Sequence, residues 1–422
     1  MKDGLIIKGG STLSGSVMVA GSKNAALPVL MAVLLSEKPV LIKNFPDELT
    51  DVTRSLKILE LFGVEVKRLH NEISLDPSHI SLNTIPIDDM KAIRTSVLLL
   101  GPCLGRFGRI KICKPGGCQI GPRPIDFHLS GLEKMGAKFE FHGDFIEAST
   151  LRRLQGAEIR LPKPSVTATA NLIMAGCLAE GRTIIHNAAL EPEIHNLCQF
   201  LQTGGATIYG IGTNRICIEG KDLPLHGGEH RLIGDRIEAG TFLIGALLTE
   251  GELFIEGIMP DQMEATTTLL KKSGAIIESS AHGILLRKTS RRSLIAQNIS
   301  TAPFPGFSTD IQAPFGLLNA LAKGRSRITE TIFPNRFHHV PWLKKMGAEI
   351  ELIGNTLYCK GDSLLTGTPV EGKEIRGSAT LFLAGLIASG ETNFTGLKFL
   401  ERGYCNFLKK ITSLGGILKL PV

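Results

Sequence analysis

At 422 residues the chain is too long for one ordinary hydrophobic core, so about two or three domains are expected. Its hydrophobic fraction of 43% is that of a globular protein, and aromatics at 5%, with Trp342 the single tryptophan, argue against stacking on nucleic-acid bases. The formal charge of +7 is spread out, its densest runs being pairs such as Arg291-Arg292 and Lys409-Lys410, whereas a nucleic-acid binder concentrates cations on one element.

The first residues, Met1-Lys2-Asp3-Gly4-Leu5-Ile6-Ile7, carry no secretory apolar region. No apolar run approaches the ~18 residues that span a bilayer. Eight cysteines without a CxxC pair fit a reducing compartment. These features predict a cytoplasmic protein without a membrane or nucleic-acid partner.

In chain order, one pattern returns six times. A small, apolar helix leads to a glycine and a short alternating strand. An amphipathic helix then ends in Gly-Ala or a close variant. The helix-ending glycines are Gly63, Gly136, Gly205, Gly274, Gly347 and Gly415, spaced by 73, 69, 69, 73 and 68 residues. Such self-similarity marks a repeat architecture. The apolar helices read as Ala25 to Leu35, Ala170 to Ala179, Thr241 to Leu248 and Ala379 to Ile387. A helix apolar all round is buried all round. The segment Phe337 to Met346 reads as a second, amphipathic helix with Leu343 and Met346 inward and Lys344 and Lys345 outward. Each unit therefore reads roughly βαβαββ.

The predicted fold is α/β: a two-domain, inside-out α/β barrel of six units, helices buried and sheets outside. Residues 23–234 form one lobe of three units. Residues 1–22 with 235–422 form the other, and the cleft between lobes is the default ligand site.

The starts of the buried helices are polar: Gly21-Ser22-Lys23-Asn24, Arg94-Thr95-Ser96, Lys163-Pro164-Ser165-Val166, Asp235-Arg236, Thr309-Asp310 and Arg376-Gly377-Ser378. A helix N-terminus favours anions, and added Lys or Arg makes a phosphate or carboxylate site. Ser22, Ser378 and Thr309 also suit simple N-capping. Lys23 and Arg94 oppose the helix dipole, so each calls for an anionic ligand or an acidic neighbour. Asp310, fed by the Pro/Gly-rich run 302–309, reads equally as an N-cap or as a general base. Arg336 and Arg402 stand in loops just before second helices, as anion-binding forks or as solvated cations.

The segment Pro115-Gly116-Gly117-Cys118-Gln119-Ile120-Gly121-Pro122-Arg123 sets a thiol between glycine clusters with a guanidinium five residues on. Nearby cations lower a thiol's pKa, and Cys118 reads as a catalytic thiol beside an anion site. The glycines suit a loop that closes over bound substrate. Cys103, Cys177 and Cys198 lie in apolar runs and read as core, as do Cys113, Cys217, Cys359 and Cys405. His128 follows Cys118, but no oxyanion motif accompanies the pair. No P-loop, dinucleotide fingerprint or metal-ligand spacing occurs.

Taken together, Gly21-Ser22-Lys23-Asn24-Ala25-Ala26, Pro115-Gly116-Gly117-Cys118 with Arg123-Pro124, Thr309-Asp310, Asn335-Arg336-Phe337 and Arg402-Gly403-Tyr404 resemble the enolpyruvyl transferases across the whole chain. The Pro-Gly-Gly-Cys loop resembles the branch with a UDP-sugar acceptor rather than the one acting on shikimate 3-phosphate. The resemblance implies transfer of the enolpyruvyl group of phosphoenolpyruvate to the 3-hydroxyl of UDP-N-acetylglucosamine, an early step of peptidoglycan synthesis, with no cofactor or metal. It implies that Lys23, Asn24, Arg123 and Arg402 hold phosphoenolpyruvate. Arg94, Arg123, Pro124, Ile125, Asp126, Phe127, Lys163, Pro164, Ser165, Val166, Asp310 and Ile332 would contact the UDP-sugar. Cys118 would be the general acid and Asp310 the base, with Lys23 and Arg402 also catalytic and Arg336 and Arg376 further candidates.

Several positions depart from the family's usual pattern. Glu374 and Glu401 replace aspartates, Ser308 replaces a proline before Thr309-Asp310, and Pro164 follows Lys163 where a β-branched residue is common. A transferase with another acceptor, or a silent UDP-sugar-binding regulator, are the competing readings.

Overall fold

The computed structural model describes residues 4–81, 96–114 and 125–420. They divide into two compact units, one holding residues 4–20 and 234–420 and the other the described residues from 21 to 233.

In the first unit three helices are sealed on almost every side: α4 Arg236–Leu248, α5 Gln312–Leu321 and α6 Ile375–Ile387. In the second unit the corresponding helices are α1 Lys23–Ala32, α2 Leu100–Phe107 and α3 Val166–Cys177. The absence of a polar face leaves these helices no stable place at a water boundary. Phe242, Phe315 and Phe382 are wholly buried, one on each helix of the first unit. Each such ring is worth about 1.5–3 kcal/mol of burial. Phe407, on the helix Phe407–Ser413, packs against Phe242 and Phe382.

Each unit carries three sheets among its described residues. Five of the six sheets share one plan: a parallel pair, then two antiparallel pairings. The sixth has three strands described, all antiparallel. Strands such as Arg182–His186 bury every second side chain, so these sheets face the helices on one side only.

Distant parts of the sequence complete several sheets. Strand Gly4–Lys8 pairs antiparallel with Glu391–Thr395 and with Leu418–Lys419. Strand Gly15–Met18 lies parallel to Leu253–Glu256, and in the other unit Gly228–Arg231 lies parallel to Val40–Lys43.

The six periodic glycines share one backbone state. Gly63, Gly136, Gly205, Gly274, Gly347 and Gly415 have φ between +92° and +105°. Five are followed by a residue whose N–H bonds the carbonyl five positions back, as in Val64 to Leu59 and Ala348 to Leu343. This is a Schellman ending, and only glycine takes its left-handed position without a Cβ penalty.

The amphipathic helix expected over 337–346 is shorter, spanning Val340–Lys345. Pro341 has no N–H to give to a preceding turn, so it is accommodated only at a helix start. Leu343 and Met346 are buried and Lys344 and Lys345 exposed, as their periodicity predicts.

Helix α2 offers an internal test of packing. A Cβ on Gly101 would lie 2.2 Å from the Asn171 carbonyl oxygen of α3, whereas at Gly105 the nearest atom is 3.6 Å away. Gly101→Ala is expected to cost about 1–3 kcal/mol through overpacking. Gly105→Ala should be neutral or stabilise by about 0.5–1 kcal/mol. Urea unfolding of the two variants checks the contrast.

Candidate active site

In the first unit, the start of α5 and the start of α6 meet around one carboxylate. Asp310 lies in the single turn Thr309–Ile311 that opens α5. Its Oδ1 accepts from Arg336 Nη2 at 2.5 Å and from Arg376 Nε at 3.1 Å. Both guanidiniums are buried, and the Asp310 side chain is 22% exposed. Burial alone would raise this carboxyl's pKa. The charges of Arg336 and Arg376 and their hydrogen bonds overcome burial and hold it far below the usual carboxylate range.

The two capping alternatives separate here. Ser308, not Asp310, caps the turn, accepting from the Asp310 N–H at 3.2 Å. The Asp310 carboxylate is taken by side-chain cations. Ser308 thus supplies an acceptor that a proline could not. At α6 the cap is Glu374, whose Oε2 accepts from Arg376 N at 3.0 Å and whose Oε1 accepts from Gly377 N. Its extra methylene still reaches the helix end. Ser378 lies inside the helix and donates to the Glu374 carbonyl at 2.6 Å, so it is not a cap. Thr309 is not one either, since its hydroxyl donates to Glu330 at 2.8 Å.

Arg376 is also packed from behind. Its guanidinium lies 5.2 Å from the centre of the Tyr404 ring, whose hydroxyl pairs with Thr241 at 3.1 Å. Gly403 comes so close to Ile375 that a Cβ there would sit 2.2 Å from its Cγ2. Arg402, the preceding residue, is half-buried and is thereby anchored at the same end of α6. Asp310, Arg336, Arg376 and the Arg402 turn therefore share one corner of the unit. His339, beside Arg336, has its imidazole pKa lowered to about 3, first by burial and then by the Arg336 charge. It stays neutral there.

In the second unit, Ser22 caps α1 by accepting from Ala25 N at 3.4 Å. Lys23 follows at the first helical position and is 7% exposed. Its ammonium meets the Asp51 carboxylate at 3.5 Å, the acidic neighbour that its place at the positive helix end calls for. Asn24, the next residue, is only half-buried.

Elsewhere in that unit His128 joins two candidate segments. Its Nδ1 accepts from Asn171 Nδ2 at 2.9 Å, which leaves Nε2 to donate to Thr167 Oγ1 at 3.1 Å. Burial lowers its pKa to about 4, so it is a neutral tie rather than a partner for a reactive thiol. Ile125 to Phe127, at the start of helix Asp126–Lys134, is held beside Ser165 and Val166 at the start of α3. Lys163 is exposed and Pro164 half-buried just before that helix.

Arg94, Cys118, Arg123 and Pro124 lie outside the described residues. Among the described cysteines, burial raises the thiols of Cys103 and Cys177 and pushes Cys198 and Cys359 up to about 12. These four are core groups. A surface hairpin brings Glu140, His142 and Glu147 within 4.8 Å of one another, but the group is solvated and Glu147 already pairs with Lys111. Among the described residues no helix is long and apolar enough to cross a membrane.

Two working residues escaped the sequence reading. Asp51 stands 28 positions after Lys23 in an ordinary amphipathic helix. Asn171 sits in an apolar helix, a visible anomaly that the His128 and Gly101 contacts explain.

Residues 7–411 match the family model of EPSP synthase (3-phosphoshikimate 1-carboxyvinyltransferase). The chain is 45% identical over 410 residues to a UDP-N-acetylglucosamine 1-carboxyvinyltransferase from Idiomarina loihiensis, covering 97% of each. A protein of the same description from Salmonella paratyphi B is 44% identical over 409 residues, again 97% of each. Among solved structures, the enolpyruvyl transferase NikO from Streptomyces tendae superposes with a TM-score of 0.89 at 22% identity, over 99% of this chain and 98% of that one. The EPSP synthase from Acinetobacter baumannii gives 0.76 at 19% identity over 99% of both chains. At such identities the two structures speak to the fold, which is mixed α/β in common with theirs. With the family model spanning nearly its full length and near-complete relatives at 45% identity, the chain belongs to the enolpyruvyl transferase family.

Proposed function

We propose that this protein transfers the enolpyruvyl group of phosphoenolpyruvate to the 3-hydroxyl of UDP-N-acetylglucosamine and releases phosphate, feeding peptidoglycan synthesis in the cytoplasm. The observation that carries this reading is the 45% identity, over 97% of both chains, to a carboxyvinyltransferase of that acceptor. The same reading takes the architecture as an inside-out α/β barrel of six units in two lobes, 23–234 and 1–22 with 235–422.

Phosphoenolpyruvate is an enol ester, and its C2 becomes electrophilic only as C3 gains a proton. One acid and one base are therefore needed. On this reading the Cys118 thiol gives its proton to C3. The sugar 3-hydroxyl oxygen bonds to C2, and its proton passes to Asp310. Loss of a C3 proton with cleavage of the C2–phosphate bond then yields the enolpyruvyl ether and phosphate.

Asp310 suits this work in one respect. A carboxylate held by two guanidiniums is a weak base, but it is ionised at any working pH. A hydroxyl attacking a cation-like carbon becomes strongly acidic, so a weak base suffices. Lys23, Asn24, Arg123 and Arg402 would hold phosphoenolpyruvate, and the cations among them would stabilise the departing phosphate. Arg94, Arg123 to Phe127, Lys163 to Val166, Asp310 and Ile332 would hold the UDP-sugar. The chemistry calls for no cofactor or metal.

Phosphate release with both substrates tests the reading, comparing the native protein with Cys118→Ser and Cys118→Asp. Activity in the native protein, lost in Ser and retained in Asp, is expected for a proton donor at this position. No release from folded native protein would favour another acceptor or a silent regulator. Asp310→Asn should lower kcat by about 100- to 10,000-fold, the usual range for a lost acid–base group.

A pH series adds a sign. The depressed Asp310 pKa stabilises the folded protein above the unfolded carboxyl value of about 4. That contribution is lost only as pH falls through the much lower folded value. Arg376→Met removes one of the charges that hold it down, so the acid limb of kcat should move to higher pH. An unmoved limb in a folded variant would remove Asp310 from the rate-determining proton transfer.

A further inference from the structure

Glu330 is 1% exposed, and its carboxylate accepts four hydrogen bonds, each from an uncharged group. Its Oε1 accepts from Thr301 Oγ1 at 2.9 Å, Ile332 N at 2.7 Å and Phe333 N at 3.0 Å. Its Oε2 accepts from Thr309 Oγ1 at 2.8 Å. The backbone beneath is fixed as well. Glu330 N donates to the Asn355 carbonyl at 2.8 Å, and Asn355 Nδ2 returns a bond to the Glu330 carbonyl at 2.8 Å. The residue thus stands at the end of strand Ser326–Thr329, tied to the neighbouring hairpin.

The two oxygens serve two parts of the proposed site. Oε1 holds the turn that carries Ile332. Oε2 orients Thr309, the residue before Asp310. The Thr309 hydroxyl donates to Glu330 Oε2, so its proton points that way. Its lone pair then faces Arg336, and Nη1 donates to it at 3.1 Å. The other fork of the same guanidinium, Nη2, reaches Asp310. A planar fork fixed at one nitrogen is fixed at the other.

We propose that Glu330 is a positioning residue for the transferase reaction, setting the Asp310 carboxylate through Thr309 and Arg336 while its other oxygen holds the Ile332 turn. This inference rests on the function proposed above. It predicts a division of labour between the two oxygens. In Glu330→Gln the amide oxygen can keep the three Oε1 donors, which places the amide NH2 against Thr309. Thr309 then receives two donors and its own proton loses its acceptor. The Asp310 arm is disturbed and the Ile332 turn is spared.

The experiment is steady-state phosphate release with phosphoenolpyruvate and UDP-N-acetylglucosamine. It uses the full-length native protein, Glu330→Gln, Thr309→Val, Thr309→Ser and the Gln/Val double variant, each with its thermal unfolding midpoint. Misplaced reacting groups typically cost about 10- to 100-fold in rate. Glu330→Gln and Thr309→Val should each lower kcat by about that factor with KM for the UDP-sugar within about twofold. Thr309→Ser, which keeps the hydroxyl, should recover most of the rate. The double variant should be no slower than the slower single one, since both cut the same chain. An active native protein with a folded Glu330→Gln within about twofold of its kcat would overturn the inference alone. So would multiplied losses in the double variant. If Glu330→Gln does not fold, equal rates for Thr309→Val and the native protein overturn it too. A native protein that releases no phosphate overturns the functional reading, and this inference with it.

Discussion

A helix with almost no polar face must place its chemistry at its ends, and among the described residues three such helices line the core of each unit. Their side walls are occupied by apolar contacts, so ionisable groups gather at their first turns. Lys23 with Asp51, Asp310 with Arg336 and Arg376, and Glu374 capping α6 all stand at such starts. At these positions free N–H groups and the positive end of the dipole already favour anions. The fold thereby produces anion-seeking corners from the same constraint that builds its core.

The Asp310 corner shows how charge is kept in a largely desolvated place. Two buried guanidiniums would be costly alone, and one partly buried carboxylate answers both. The surroundings then fix geometry rather than add charge. Tyr404 stacks behind Arg376, Thr309 engages Arg336, and Glu330 orders Thr309. The neutral state of His339 avoids a third cation beside Arg336.

The repeat and the buried helices were legible in the sequence because each follows from a local rule. A left-handed helix ending demands glycine, and six such glycines returned on a near-constant period. Apolar helices betray their burial by composition. The role of Asp310 was not legible, since its partners lie 26 and 66 residues away and only the tertiary fold chooses between cap and ion pair. Amphipathic periodicity alone extends the helix Val340–Lys345 back to Phe337, whereas Pro341 confines its start to Val340. Ser378 lost its capping position to Glu374, a competition between neighbours that capping preferences do not decide. Glu330 gave no signal of its own, because an acid at a strand end is ordinary until its four donors are counted.

Strand Gly4–Lys8 finds its partners at Glu391–Thr395 and Leu418–Lys419. On a ribosome, this strand is therefore made long before its partners. At synthesis rates of about 5–20 residues per second, it waits roughly 20–80 s for its first partner strand. During that interval the unit between residues 21 and 233, whose sheet pairings among the described residues are all internal, can emerge and close on its own. The unit that holds residues 4–20 and 234–420 must keep an apolar strand out of wrong company until those partners are made. Its exposure to chaperones is thus written into the topology.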